Sequence, residues 1–205
     1  MKQMKYEITE IAHEQYPWLH RIRALTDICW DVHAGDLGGF VESENNLEQN
    51  PTDTSWIHDN SIVCGNAFVN NGARLRNGAI AKDNAYITQN ALLEGGAICM
   101  EDAYVCSAAV SMHGIVAGCG MVIGKDGFSP LVTGNACVYG RVTGNITISG
   151  ENSVIAHGEE LFHPYLQRLT VENGVRSIKL AQPEKLTRSN RHVRIPVFPT
   201  LSKAR

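Results

Sequence analysis

At 205 residues the chain can hold one domain with a real core, or a domain carrying a sizeable appendage. Hydrophobic residues at 43% are ordinary for a soluble protein, but 7% aromatics and 19 glycines point to a core of small and β-branched side chains with many turns. No apolar stretch approaches the roughly 20 residues of a transmembrane helix. The net charge of −3 is unevenly spread: residues 1–164 carry 9 Lys/Arg against 19 Asp/Glu, and residues 165–205 carry 9 against 2.

The chain opens on "MKQMKYEITEIAHEQYPW", which lacks an apolar signal-peptide core, so the expected location is cytoplasmic. Six cysteines are scattered without a CxxC pair; free thiols are expected, with no metal or redox motif. Residues 1–55 read as a cap, because an open solenoid end exposes apolar surface and unpaired strand edges. Tyr16, Trp18, Leu19, Ile22, Trp30 and Phe40 suit that work. "GDLGGF" at 35–40 lacks the Lys-Ser/Thr of a P-loop, and Asp36 would repel phosphate; its glycines are expected at a turn and a close packing contact. Glu42 and Glu44 alternate with Val41 and Ser43 as on a solvated strand face, and the sequence names no partner that would make them catalytic.

From Ile57 a repeat takes over. Aliphatic or small apolar residues recur six apart at Ile57, Val63, Val69, Leu75, Ala81, Ile87, Leu93, Cys99 and Val105. Four residues after each stands a small one, from Ser61 and Ala67 through Ala103 and Ala109, preceded by pairs such as "GN", "NG" and "DN". Period six is neither the helical 3.6 nor plain strand alternation. It predicts short strands joined by tight bends in which Gly and Asn take positive φ. Three units make one triangular coil of about 18 residues, and stacked coils a β-solenoid spanning residues 56–155 in about five coils.

These residues resemble the hexapeptide-repeat family of left-handed parallel β-helices, and the handedness is implied by that resemblance. "LHRIRALTDICWDVHAGDLGGFVESENNLEQN" at 19–50, "SWIHDNSIVCGNAFV" at 55–69 and "VTGNACVYGRVTGNITISGENSVI" at 132–155 are similar to phage- and prophage-borne YdcK-like proteins, which carry the label of transferases. The resemblance implies an all-β left-handed solenoid with an N-terminal cap and a mixed C-terminal extension. It also implies a homo-oligomer, with a trimer favoured.

The repeat is disturbed at "VCSAAVSMHGIVAGCGMVIGKDGFSP", residues 105–130. In a shifted frame Val110, Val116, Val122 and Phe128 are again six apart, with Gly114 and Gly120 in place of alanine. The register slips by one residue between Val105 and Val110, and "GKDGFSP" at 124–130 is expected to bulge from one corner. The pattern returns at Val132 and Val138, slips at "YGRV", and continues through Val142, Ile148 and Val154. His113 falls on a bend, where Asn66, Gly72, Gly78 and Asn84 stand in earlier repeats. The family resemblance implies that such a histidine can serve as general base in acyl transfer from acetyl-CoA, and imidazole suits that task near neutral pH. His58, His113, His157 and His163 do not have the spacing of a zinc-binding triad, so no metal is expected.

Residues 156–205 differ in kind. "GEELFHPYLQRL" at 158–169 has apolar residues close to helical spacing, with Pro164 forcing a start or kink, and "GVRSIKLAQ" at 174–182 alternates like a strand. Beyond it Lys185, Arg188, Arg191 and Arg194 are interleaved with Val193, Ile195, Val197 and Phe198, a composition suited to a polyanion or an acidic protein surface. No tandem aromatic pattern supports nucleic-acid stacking. The sequence therefore favours a phage-type binding protein that engages a macromolecular partner, as an inhibitor of a host system in one version, with no cofactor. The alternative is a hexapeptide-type acyltransferase using acetyl-CoA, with His113 as base.

Overall fold

The computed structural model describes residues 4–179. Three sheets wrap a narrow triangular core as an all-β parallel solenoid of about seven turns. The first face runs from the N-terminal hairpin (Tyr6–Ala12 and His20–Ala24) through Leu37–Val41, Ile62–Val63, Ile80–Ala81, Ile98–Cys99, Ile115–Val116 and Cys137–Val138 to Val154–Ile155. The second face stacks Phe68–Val69, Tyr86–Thr88, Tyr104–Cys106, Met121–Ile123, Arg141–Gly144 and Glu160–His163. The third stacks Trp56–Ile57, Arg74–Arg76, Leu92–Glu94, Ala109–Val110, Leu131–Thr133, Ile146–Ser149 and Arg168–Glu172, and ends on antiparallel Val175–Lys179. Among the described residues there is no α-helix, only a 3-10 turn at Glu44–Asn46.

The repeat explains the core. Leu75 pairs with Leu93, Ala81 with Cys99 and Ile87 with Val105, as the six-residue period places them. These nine aliphatic positions from Ile57 to Val105 are all fully buried. Each buried Val, Leu or Ile contributes about 1.5–3 kcal/mol of transfer free energy. Alanines at 67, 73, 79, 85, 91, 97 and 103 are equally enclosed, because the corner leaves room for no more than a methyl.

The corners bear out the tight left-handed bends, since positive φ recurs two residues after the inward aliphatic, at Asp59, Gly65, Asn71, Asn77, Asp83, Gln89, Gly95, Glu101 and Ser107, but Gly or Asn stands at only four of these nine. Below Val105 the frame departs from the sequence reading in three places. Ala108 rather than Ala109 fills the corner, so that corner is one residue short. Phe128 does not point inward; it belongs to a small hairpin, and the column passes from Val122 to Val132. Ile155 is buried while Val154 is 51% exposed, so the last slip lies before Ile155.

The parallel ladder also extends past residues 56–155. Phe40 pairs with Ile62 at one end, and Val142 pairs with Leu161 and Ile148 with Val171 at the other. Residues 158–169 form strand and turn rather than helix: their apolar residues serve the solenoid, with Leu161 facing the core and Leu169 packing against it. Tertiary stacking overrides the helical spacing there.

The N-terminal cap is built as expected in part. Leu19, Ile22 and Phe40 are buried, whereas Tyr16, Trp18 and Trp30 remain exposed. Gly38 and Gly39 are close-packing glycines: a Cβ would stand 2.6 Å from the Ile57 carbonyl and 2.4 Å from that of Ser61. Beneath the cap the Lys5 ammonium is fully buried and donates to Asp53 Oδ1 at 3.1 Å and to the carbonyl and Oγ of Ser55 at 3.0 Å each. All three of its N–H donors are thus satisfied, which is the condition for burying a charge.

Candidate functional site

The two irregularities of the sequence stack on one corner, between the second and third faces. The step from Ile87 to Leu93 is six residues, that from Val105 to Val110 is five, and that from Val122 to Val132 is ten. A short corner between a full one and an enlarged one leaves a notch. Its floor is Ser107, its upper wall Gln89 and Asn90, and its lower wall the insertion at 124–129; the cleft holds about 360 Å³.

The insertion is a two-residue hairpin. Lys125 and Phe128 exchange both backbone hydrogen bonds at 2.9 Å, and Asp126 and Gly127 have φ of 53° and 81°. This is the Asp-Gly turn that matches strand twist. The hairpin is tied down at its base: Ser129 Oγ donates to the Ser107 carbonyl at 2.8 Å, Ser107 Oγ donates to the Gln89 carbonyl at 2.9 Å, and the Gly124 N–H donates to the Cys106 carbonyl at 2.8 Å. Lys125 Nζ lies 4.8 Å from the centroid of the Phe162 ring.

A second signal marks the same place. Several corners between faces use two consecutive left-handed residues: Asn71–Gly72, Asn77–Gly78, Gly95–Gly96 and Gly134–Asn135 each include glycine. Gln89–Asn90 and Met112–His113 do not. Left-handed backbone costs a side chain of ordinary type about 1–2 kcal/mol, and such strain persists where the side chains are used.

His113 sits on the other kind of corner, between the third and first faces, so it and the 124–130 hairpin lie at opposite edges of the third face. Its ring lies over Gly96, where a Cβ would stand 2.9 Å from Cδ2. The ring is exposed and, among the described residues, accepts and donates no hydrogen bond. Among the described residues no carboxylate orients it. His163 is buried and paired through Nε2 with the Gln167 carbonyl at 2.6 Å. Among the described residues no group of three His, Cys, Asp or Glu is placed to hold a metal. Lys185, Arg188, Arg191 and Arg194 lie outside the described residues.

Two further clusters emerge that the sequence reading missed. On the third face, Arg74 Nη1 binds both carboxylate oxygens of Asp31 at 2.8 and 3.0 Å, and the Cys29 thiol donates to Asp31 Oδ1 at 2.9 Å. Burial opposes the Asp31 charge, but the Cys29 and Arg74 hydrogen bonds outweigh it and hold the carboxyl at about 2. Burial pushes the Cys29 thiol up, so it is a poor nucleophile. This cluster fastens the loop that carries Trp30, which is 84% exposed. The second is an apolar row on the outside of the first face: Ile62, Ile80, Ile98, Ile115, Cys137 and Val154 follow one another coil by coil. Leu19 and Phe40 cover its head at Ile62; beyond them Ile80, Ile98, Ile115 and Cys137 are half-buried and Val154 is exposed, with Tyr16 and Trp18 beside the row. The signal was present in the sequence as residues one before each inward aliphatic, which the search for core positions passed over.

These features define the chain as a parallel β-solenoid with a notched corner and an apolar row on its first face. Comparison with protein-family models, curated proteins and solved structures finds no match.

Proposed function

We propose that the protein is a binding module that engages a macromolecular partner, a protein, through the first face of its solenoid. The outward row from Ile80 to Val154 carries this reading. It is straight, β-branched along most of its length and flanked by exposed Trp18, Tyr16 and Tyr139, the kind of surface that forms an interface core. The basic residues Lys185, Arg188, Arg191 and Arg194 add electrostatic steering towards an acidic partner. The hexapeptide-repeat, YdcK-like resemblance agrees with a left-handed winding, self-association to a trimer and a phage-type inhibitor of a host system. It also keeps acyl transfer as the second reading, for which an accessible His113 is the one observation.

Native mass spectrometry of the full chain, with and without acetyl-CoA, separates the two. The binding reading expects no stoichiometric retention of acetyl-CoA, and capture of one defined protein that Ile98→Glu abolishes and His113→Ala leaves intact. Stoichiometric acetyl-CoA retention that His113→Ala removes would replace it with the transferase.

A further inference from the structure

We infer that the notch between Gln89–Asn90 and the 124–129 hairpin is a binding site for a neutral, polyhydroxylated ligand: one sugar residue of a carbohydrate. This goes beyond the apolar face and does not depend on it. Size comes first. About 360 Å³ corresponds to about a dozen waters and lies at the small end of ligand pockets, which suits one pyranose ring.

The donor and acceptor set comes next. Among the described residues, the Gln89 side-chain N–H groups and the Asn90 side-chain amide make no hydrogen bond, while Gln89 Oε1 accepts from the Cys106 thiol at 3.2 Å. The hydroxyls of Ser107 and Ser129 spend their protons on backbone carbonyls and so offer lone pairs to the cleft. Amide donors beside hydroxyl acceptors match a ligand whose every hydroxyl both donates and accepts.

Charge then decides between ligand classes. Lys125 and Asp126 line the cleft together. The Lys125 ammonium rests on the Phe162 ring, which is not part of the cleft, so Asp126 is the charge that decides: it would repel a phosphate or carboxylate and accepts a charge-assisted hydrogen bond from a neutral polyol, and among the described residues no group of three metal-ligating side chains stands there for a cation. Phe128, half-buried in the same wall, supplies apolar surface for the C–H edges of a ring.

The backbone supplies an independent argument. Gln89 and Asn90 hold φ of 52° and 59°, where glycine would sit without strain and where the corners Asn71–Gly72, Asn77–Gly78, Gly95–Gly96 and Gly134–Asn135 each have one. The corner keeps two amides at a conformational cost. Replacing either by glycine should therefore separate stability from binding. A purely structural corner would gain or keep stability and lose nothing else.

The test is isothermal titration of the full chain, with ¹⁵N-correlated NMR, using methyl α-glucopyranoside, methyl α-galactopyranoside and N-acetylglucosamine as probes and inorganic phosphate as the charged control. At least one sugar should bind with millimolar affinity and shift amides of residues 89, 90, 107 and 124–129. Gln89→Gly and Asn90→Gly should each weaken it at least tenfold without lowering the melting temperature. No shift with any of the three sugars at saturating concentration, shifts centred elsewhere, phosphate binding in preference to sugar, or glycine variants that bind as well as the parent would each overturn the assignment.

Discussion

The coils up to Val105 and those after it are built on the same plan to different tolerances. In the upper coils the third-face column steps by 18 residues, from Ile57 to Leu75 to Leu93, and alanine fills the corners from Ala67 to Ala103. In the lower coils the same column passes through Val110, Val132, Ile148 and Val171, steps of 17, 22, 16 and 23 residues. Glycine replaces alanine at 114, 120 and 140, where a Cβ would stand 2.8, 2.4 and 2.3 Å from a carbonyl of the next coil. The inward column stays buried across every slip. The solenoid therefore tolerates variation in its corners as long as each strand delivers one aliphatic residue to the core. Corners are where such a scaffold can vary without unfolding, and the one notch lies where two variations meet.

The largest effect should come from the end that seals the regular half. Asp53→Ala leaves the Lys5 ammonium buried without its counter-charge, at a cost of about 3–5 kcal/mol. At about 2–4 °C per kcal/mol the melting temperature should fall by about 6–20 °C, measured by calorimetry. A Lys5→Met, Asp53→Ala double variant should recover most of that loss, because no charge is then stranded. Equal losses in the two variants would show that the cap depends on Asp53 for its bond to the Asn71 N–H at 2.6 Å instead.

Next come the corners themselves. Gly120→Ala drives a methyl against the Val138 carbonyl, which is backbone and cannot swing aside. Overpacking of this kind costs about 1–3 kcal/mol. The mirror exchange in the upper half, Ala97→Gly, removes one buried methyl and should cost about 1 kcal/mol. Chemical denaturation of both variants measures the difference. If Gly120→Ala costs no more than Ala97→Gly, the lower coils are as roomy as the upper ones and the contrast between them fails.

The fold was legible in the sequence because the repeat is read by the core. Position and size at Val63, Ala67 and Val69 are decided by nearest neighbours in the adjacent coils, and those neighbours obey the same rule. The leader was half legible: Leu19, Ile22 and Phe40 are buried, but nothing in "PW" or "CW" foretells that Trp18 and Trp30 stay outside. The notch was visible as two separate faults, a slip at Val105–Val110 and a bulge at 124–130. Their meeting at one corner depends on counting coils, and the sequence count placed Phe128 in the core. The Asp31–Arg74 pair joins residues 43 apart through the path of the loop, which no periodicity encodes. The helical spacing at 158–169 misled because Leu161 and Leu169 belong to strands on different faces.

That pair gives a smaller, pH-dependent effect. The folded structure holds Asp31 at about 2, below the ordinary 3.8. The stabilisation is therefore fully present above about pH 4 and is lost as the pH falls through about 2. Arg74 and Asp31 are about one-fifth exposed, so solvent screening limits the contribution to about 1 kcal/mol. Arg74→Met should remove the arginine's share of it and leave the Cys29 hydrogen bond, and the stability difference between the two proteins should shrink as the pH is lowered from 5 to 2. A difference that stays constant over that range would assign the loss to packing of the arginine stem.

The smallest effect bears on Met112–His113, one of the two-residue corners that lack glycine. Met112→Gly and His113→Gly place a residue suited to φ of 47° and 61° where a side chain now sits strained. Relief of strain is offset by the greater freedom of glycine in the unfolded chain, so the net change should lie between zero and about 1 kcal/mol of added stability. Thermal denaturation reads this directly, and a loss of stability in His113→Gly would show that the ring's contact over Gly96 holds the corner. With stability kept, any function that disappears with His113 belongs to its imidazole. Upper corners already built on Asn, Asp or Gly offer no such separation, because those residues suit the left-handed turn.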